Sequence, residues 1–431
     1  MSEEEEVSEW QRLPAPLQHQ FYDHARREAQ RRIKMLRELD GKLRSLRGLL
    51  RFRAVDEGDW RGLRVGVVDG SSPPAPDVRL GGSYALFCSS FKIFQGDELI
   101  DEGYRSGMLF RGNTERYSSR AILRLLMTRL ERKSALECLE RGVDWLIIDG
   151  SFFGFRYRCR RVEEAEFTWY EADEGGEVME LSSTGEELIR ELLRDTELLL
   201  DANAVAIVKR VRTAAIDGFL LSRKWIGIEG ASNPAERIRE VRIGLPDKMI
   251  LSMLMPTGHY FLYSDLFQYP GSFYIYSVLS GIAEEWVRER LRKGQGIEFE
   301  DLLAFSKAWV EHRERRENIL DDLFQSIYID TIFNKLERGY FRAYESAPAC
   351  CFEIHRDKLL DEILPYLIGF NNRDTGHPFP LDLVDMDVGM PIWFTREFVE
   401  EVEAQVIREA GAELAERYFQ YMNPQKKWGY R

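Results

Sequence analysis

Apolar positions follow two different periods along this chain. Leu36, Leu39, Leu43, Leu46 and Leu50 are spaced 3-4-3-4 with Arg or Lys filling the gaps, which predicts a long amphipathic helix over residues 16–52. That stripe must pack on something, whether its own core, a second copy or a partner. After the break at Asp56-Glu57-Gly58-Asp59 the pattern shortens. A strand is expected at Leu63 to Asp69, then a Pro/Gly-rich turn (Pro73, Pro74, Pro76, Gly81, Gly82), a second strand at Ser83 to Phe94 and a third within Glu98 to Phe110. Asn113-Thr114 offers a cap for a helix from Glu115 to about Arg141, and Val143 to Asp149 forms a fourth strand.

The order β-β-β-α-β is that of the ribonuclease H-like fold. The expected fold class is therefore α/β, a ribonuclease H-like mixed-sheet core with a long N-terminal helix and helical and β insertions. Further along, the acidic stretch Glu163 to Glu180, with Gly175-Gly176, predicts an inserted hairpin or loop, and Thr184 to about Leu200 a helix. Ala204 to Val208 is a continuous apolar strand ending on Lys209. The middle of the chain mixes aromatic-rich strands (His259 to Tyr263, Phe273 to Tyr276) with charged helices (Ile282 to Lys293, Glu298 to Asn318). A helix around Arg356 to Leu367, a turn at Asn371 to Gly376 and one final helix from Leu381 complete the reading. The expected organisation is an acidic tip and basic helix over 1–53, a main domain over 54–410 with insertions at about 160–200 and 225–345, and a tail over 411–431. No repeat of solenoid period is visible.

Composition narrows the class. At 431 residues, 44% apolar and 31% charged, the chain buries a full core, and no apolar run approaches the roughly 18 residues that span a bilayer. The start, Met1-Ser2 followed by Glu3 to Glu6, lacks a basic-then-apolar signal pattern, so a cytoplasmic protein is expected. The five cysteines (Cys88, Cys138, Cys159, Cys350, Cys351) include no CxxC and outline neither a disulfide framework nor a zinc site. A net charge of −13 argues at first against a nucleic-acid partner, but the basic charge is segregated. Residues 10–53 hold 12 Lys/Arg against 4 Asp/Glu.

Two near-identical phrases carry the chemistry: Val67-Val68-Asp69-Gly70-Ser71 and Ile147-Ile148-Asp149-Gly150-Ser151. Asp-Gly alone is a common turn pair. Repeated at the ends of two buried strands, with a glutamate opening the helix between them, it reads as a site. Aspartates there lose solvation, which a cation, a donor or a ligand must compensate, magnesium or manganese being the usual one. Asp69, Asp149 and Glu115 form a hard oxygen set that selects Mg²⁺ or Mn²⁺ over zinc, and phosphodiester hydrolysis with two such ions needs three or four converging carboxylates. Lys209 is placed to neutralise a phosphate. Phe152, Phe153 and Tyr117 are candidates for stacking on bases, with the core as their commoner fate. His19, His24, His259, His312 and His355 form no ligand pair at helical spacing.

These phrases resemble the NurA nuclease family, archaeal and bacterial enzymes that work with the HerA translocase. The matching residues are Asp69 in Val-Val-Asp-Gly-Ser-Ser, Glu115 in Asn-Thr-Glu-Arg-Tyr, Asp149 in Ile-Ile-Asp-Gly-Ser and Lys209 in Ile-Val-Lys, over roughly Leu63 to Val402. His377-Pro378-Phe379-Pro380-Leu381 resembles the family's Tyr-Pro-Tyr-Pro-Leu. The chain departs from the family where a tyrosine becomes His377 and a metal-binding histidine becomes Asp385. The resemblance implies a Mn²⁺- or Mg²⁺-dependent deoxyribonuclease with two ions, a 5′–3′ exonuclease and single-strand endonuclease in double-strand-break end processing. It further implies a homodimer docked on a HerA-type hexameric ATPase. Asp69, Glu115, Asp149 and Asp385 would hold the ions, with Asp387 and His377 competing for the last place. Two other readings share the scaffold: an ATP-binding phosphotransferase, and a catalytically degenerate scaffold for a ring translocase.

Overall fold

The computed structural model describes residues 13–413, except 74–76, 79–81, 113–118, 160–161, 163, 173–174, 268–270 and 316–330. Glu115 and Tyr117 lie outside the described residues. Twelve strands are present among them: β1 Arg53–Ala54, β2 Arg64–Ser71, β3 Asp77–Val78, β4 Gly82–Gln95, β5 Glu98–Gly112, β6 Trp145–Asp149, β7 Glu166–Ala172, β8 Val178–Thr184, β9 Ala204–Val208, β10 His259–Leu262, β11 Leu336–Arg342 and β12 Cys350–His355. The helices of ten residues or more are α1 Ala15–Arg47, α2 Ser119–Glu140, α3 Gly185–Asp201, α4 Ala215–Glu229, α5 Ser272–Arg292, α6 Phe299–Arg315, α7 Leu360–Gly369, α8 Phe379–Val388 and α9 Ile392–Ala410.

All the strands join one mixed sheet in the order β1-β10-β11-β12-β9-β6-β2-β4-β5-β7-β8, with β3 paired to β4. At its centre β2, β6 and β9 run parallel, Val68 opposite Ile148 and Ile148 opposite Ala206. Antiparallel neighbours flank them, β4 beside β2 and β12 beside β9. The connectivity β2-β4-β5-α2-β6 follows the strand-strand-strand-helix-strand order read from the sequence.

Side-chain alternation sorts the central strands into two faces. Val68, Leu146, Ile148, Ala204 and Ala206 pack beneath α2 and α3, against Leu126, Leu130, Leu192 and Leu199. Val65, Val67, Trp145, Ile147, Val205 and Ile207 face the other way, against Ile363, Leu364, Tyr366 and Leu367 of α7 and Leu381 and Val384 of α8. Strands that are apolar on both faces are the mark of a sheet covered on both sides. A third cluster joins α1, α4 and α5 over the β10–β12 half.

Three expectations change. Phe273–Tyr276 opens α5 rather than forming a strand: Phe273, Leu279, Ala283 and Val287 recur on one helical face, and that burial overrides the β preference of the aromatics. The hairpin β11–β12 was not anticipated. The single helix expected from Leu381 is two, α8 and α9, parted at Gly389-Met390-Pro391, where proline has no N–H to continue the first. The inserted acidic segment is a hairpin, β7–β8, followed by α3, whose Thr184 and Glu187 form a reciprocal capping box. In α1 the stripe is buried only from Leu39 onward, at Leu39, Leu43 and Leu46, and Leu50 just beyond the helix joins them; Leu17, Phe21, Ile33 and Leu36 are exposed.

Candidate metal centre

The face that a residue occupies decides the site. Asp69 lies two positions beyond Val67, Asp149 two beyond Ile147 and Lys209 two beyond Ile207, so all three project from the carboxyl ends of adjacent parallel strands onto the α8 face. Helix α8 sets Leu381 and Val384 on that face and brings the next residue, Asp385, over the strand ends. One carboxylate oxygen from each of Asp69, Asp149 and Asp385 lies within 4.8 Å of the other two. Among the described residues no other group of three His, Cys, Asp or Glu comes so close.

A single ammonium serves this acidic trio directly. Lys209 Nζ lies 3.4 Å from Asp149 and 3.2 Å from Asp385. Burial works against its charge, but Asp149, Asp69 and Asp385 outweigh that and raise its pKa. Burial and the Asp149 charge hold Asp69 well above the usual carboxylate range; burial likewise raises Asp149 against the pull of Lys209. Asp149 Oδ1 is buried and accepts no hydrogen bond among the described residues. Hard anionic oxygens, converging, short of positive charge and with an orphaned acceptor, fit a divalent cation.

The sequence reading missed Glu131. It sits in the middle of α2, buried, with its pKa pushed up to about 8 by burial, against the opposing charge of Arg132 and with Asp149 adding to the rise. Arg132 lies 3.4 Å from it. A Cβ at Gly70 would stand 3.2 Å from Glu131 Cβ and 3.4 Å from its Oε2, so the glycine after Asp69 is the opening through which α2 brings a carboxylate towards the strand ends. Gly150, the glycine after Asp149, serves a different need: its φ of +89° lies in the left-handed region, which turns the chain after β6. That turn is fastened from beneath. Ser151 Oγ and the Phe152 N–H donate to Glu353 at 2.8 and 3.1 Å, Arg338 pairs with the same carboxylate, and Arg132 donates to the Phe152 carbonyl at 3.1 Å.

The remaining candidates fall elsewhere. Asp387 pairs with Lys92 at 2.7 Å, on the opposite side of α8 from the trio, and His377 faces Asp382 at 3.7 Å. Phe152 is a fully buried core residue; Phe153 is buried too, at the edge of a cleft that begins at Ser151.

No family model matches the sequence, and no curated protein matches it. Solved structures match the fold. The NurA nuclease from Sulfolobus solfataricus aligns with a TM-score of 0.50 at 13% identity, over 90% of this chain and 98% of that one. A structure of NurA bound to dAMP and manganese aligns with a TM-score of 0.42 at 10% identity, over 86% and 94%. The chain has the fold of a NurA nuclease.

Proposed function

We propose that the chain is a NurA-type, divalent-metal-dependent nuclease built on a ribonuclease H-like core. The observation that carries this reading is the convergence of Asp69, Asp149 and Asp385 at the carboxyl edge of three parallel strands, with Lys209 among them. Asp69, Asp149 and Asp385 would hold Mn²⁺ or Mg²⁺, two ions on the family resemblance, and Glu131 would join them from the α2 side. Such ions, when bound, supply the positive charge needed to activate water and to stabilise a departing oxyanion. Lys209 keeps its proton and turns an ammonium towards the phosphate, offsetting charge that builds there in the transition state. Arg132 and Arg338 keep the Asp149 turn in place through Phe152 and Glu353 and so fix the direction of its carboxylate. Glu115, outside the described residues, remains a candidate ligand on the strength of its motif. The finer assignments rest on the resemblance of motifs and fold: DNA as substrate, attack from the 5′ side and within single strands, a homodimer, and a HerA-type ring as partner.

The test is digestion of end-labelled single- and double-stranded DNA with Mn²⁺, Mg²⁺ or EDTA. Wild type should release nucleotides only with metal, and Asp149→Ala and Asp385→Ala should lower the rate by about a thousandfold, which corresponds to about 4 kcal/mol. Thermal melting without metal should be unchanged or raised in Asp149→Ala, because a buried like charge has been removed. Cleavage retained by Asp149→Ala would overturn the assignment.

A further inference from the structure

A second feature opens directly beside the carboxylates. A cleft of about 810 Å³ begins at Ser151, two residues beyond Asp149, and at Val208 and Arg210, which flank Lys209. Four arginines line it (Arg156, Arg210, Arg212 and Arg338), and no described Asp or Glu does, in a chain whose net charge is −13. The concentration of cations is therefore local and sits against the Asp69–Asp149–Asp385 cluster.

The arginines are presented in two ways. Arg338 is buried and spent on structure: it pairs with Glu353, donates to Thr213 Oγ1 at 3.2 Å and to the Tyr274 hydroxyl at 3.1 Å, and lies over the Tyr274 ring at 5.2 Å. Arg156 stacks on the same ring at 5.6 Å, so Tyr274 organises the cleft floor by cation–π contact. Arg210 and Arg212 are exposed, and neither has a hydrogen bond or ion pair among the described residues. They flank Val211 just beyond β9. Trp309 of α6 forms part of the wall and is partly exposed.

We infer that this cleft seats one or two unpaired nucleotides of the strand that leaves the scissile phosphate, with Arg210 and Arg212 on its phosphates and Trp309 against a base. The inference rests on the nuclease reading and adds to it the place where an unpaired strand is held and the residues that hold it. Cationic groups that track the backbone beside an aromatic on which a base stacks are the physical minimum for binding a single strand without reading its sequence. The volume falls within the range of small-ligand pockets in general, roughly 300–1,000 Å³. An intact duplex presents no splayed base to Trp309.

The experiment is fluorescence anisotropy of labelled oligothymidylate, and of a blunt duplex of equal length, with the full chain in EDTA at several salt concentrations. The variants are Arg210→Ala/Arg212→Ala, Trp309→Ala and Asp149→Ala. The double arginine variant should bind the single strand at least about tenfold more weakly, with the slope of log K against log salt reduced by about 1.4, two phosphate contacts at roughly 0.7 each. Trp309→Ala should lose about tenfold with the slope unchanged, as expected for loss of a stacked base. Circular dichroism and melting should match wild type, since Arg210 and Arg212 are exposed and unpaired. Wild-type affinity and slope in the double arginine variant would overturn the inference. The two readings fail separately. If Asp149→Ala loses cleavage while the arginine variant binds normally, the cleft assignment falls and the nuclease stands. If Asp149→Ala cleaves normally, the nuclease reading falls, whatever the cleft binds.

Discussion

At the scale of single residues, two phrases that look alike do different work. Gly70 is small so that Glu131 can approach; Gly150 is flexible so that the chain can turn. Both aspartates were legible in the sequence, because an apolar run that stops on a carboxylate advertises a strand end. Glu131 was not, because Arg-Leu-Glu-Arg on a helix surface is indistinguishable from a solvated stripe. The signal that pointed to it is only visible with the fold: the glycine opposite it and its burial. Glu131→Gln keeps the shape and removes the charge. It should leave the melting temperature within a few degrees and weaken metal affinity by ten- to a hundredfold, measured by calorimetry with Mn²⁺. Unchanged affinity would make Glu131 a structural residue of α2.

At the scale of elements, the acidic trio has two origins. Asp69 and Asp149 come with the parallel strands, while Asp385 arrives on α8, which has no backbone ladder to the sheet. What fastens α8 to the sheet is its Leu381 and Val384 contacts and two ion pairs, Asp385 with Lys209 and Asp387 with Lys92. Lys92, buried on β4, binds Asp387 at 2.7 Å and Glu102 at 2.5 Å. Desolvation works against the Lys92 charge, but the two carboxylates dominate and hold its pKa above the ordinary lysine value. Asp387→Asn should raise the Mn²⁺ concentration needed for half-maximal cleavage several-fold while leaving the rate at saturating metal near wild type, because it acts through the position of Asp385. Equal loss at saturating metal would give Asp387 a direct role. The break before α9 illustrates why the terminal elements were harder to place. Gly389-Met390-Pro391 sits between two helix-favouring runs, and the glycine and proline together divide them.

At the scale of the molecule, buried carboxylates couple stability to pH. Burial raises Asp247 to about 7, against the donors it accepts from Ala215, Ile216 and Tyr263, and raises Glu337 to about 7 against its bond from Ser264. In the unfolded chain both release their protons near pH 4. Between about pH 4 and 7 the folded protein therefore holds more protons than the unfolded one, and these two groups make stability fall as pH rises through that window, with the full penalty present above it. Asp247→Asn should flatten the fall. Urea midpoints of wild type and variant measured from pH 5 to 8 should converge toward the acid end and separate toward the alkaline end in the variant's favour, beyond any constant offset from the lost acceptor. Parallel curves would contradict the assignment. Nothing in the charge pattern along the chain hints at this, since neither residue stands out until it is enclosed.

The unbroken ladder from β1 to β8 has a mechanical corollary. Bending the protein between β9 and β6 would tear backbone hydrogen bonds at the very strands that carry Lys209 and Asp149, so no hinge can run through the centre. Helix α8 has no share in that ladder, and a swing of α8 would take one carboxylate away while the other two keep station.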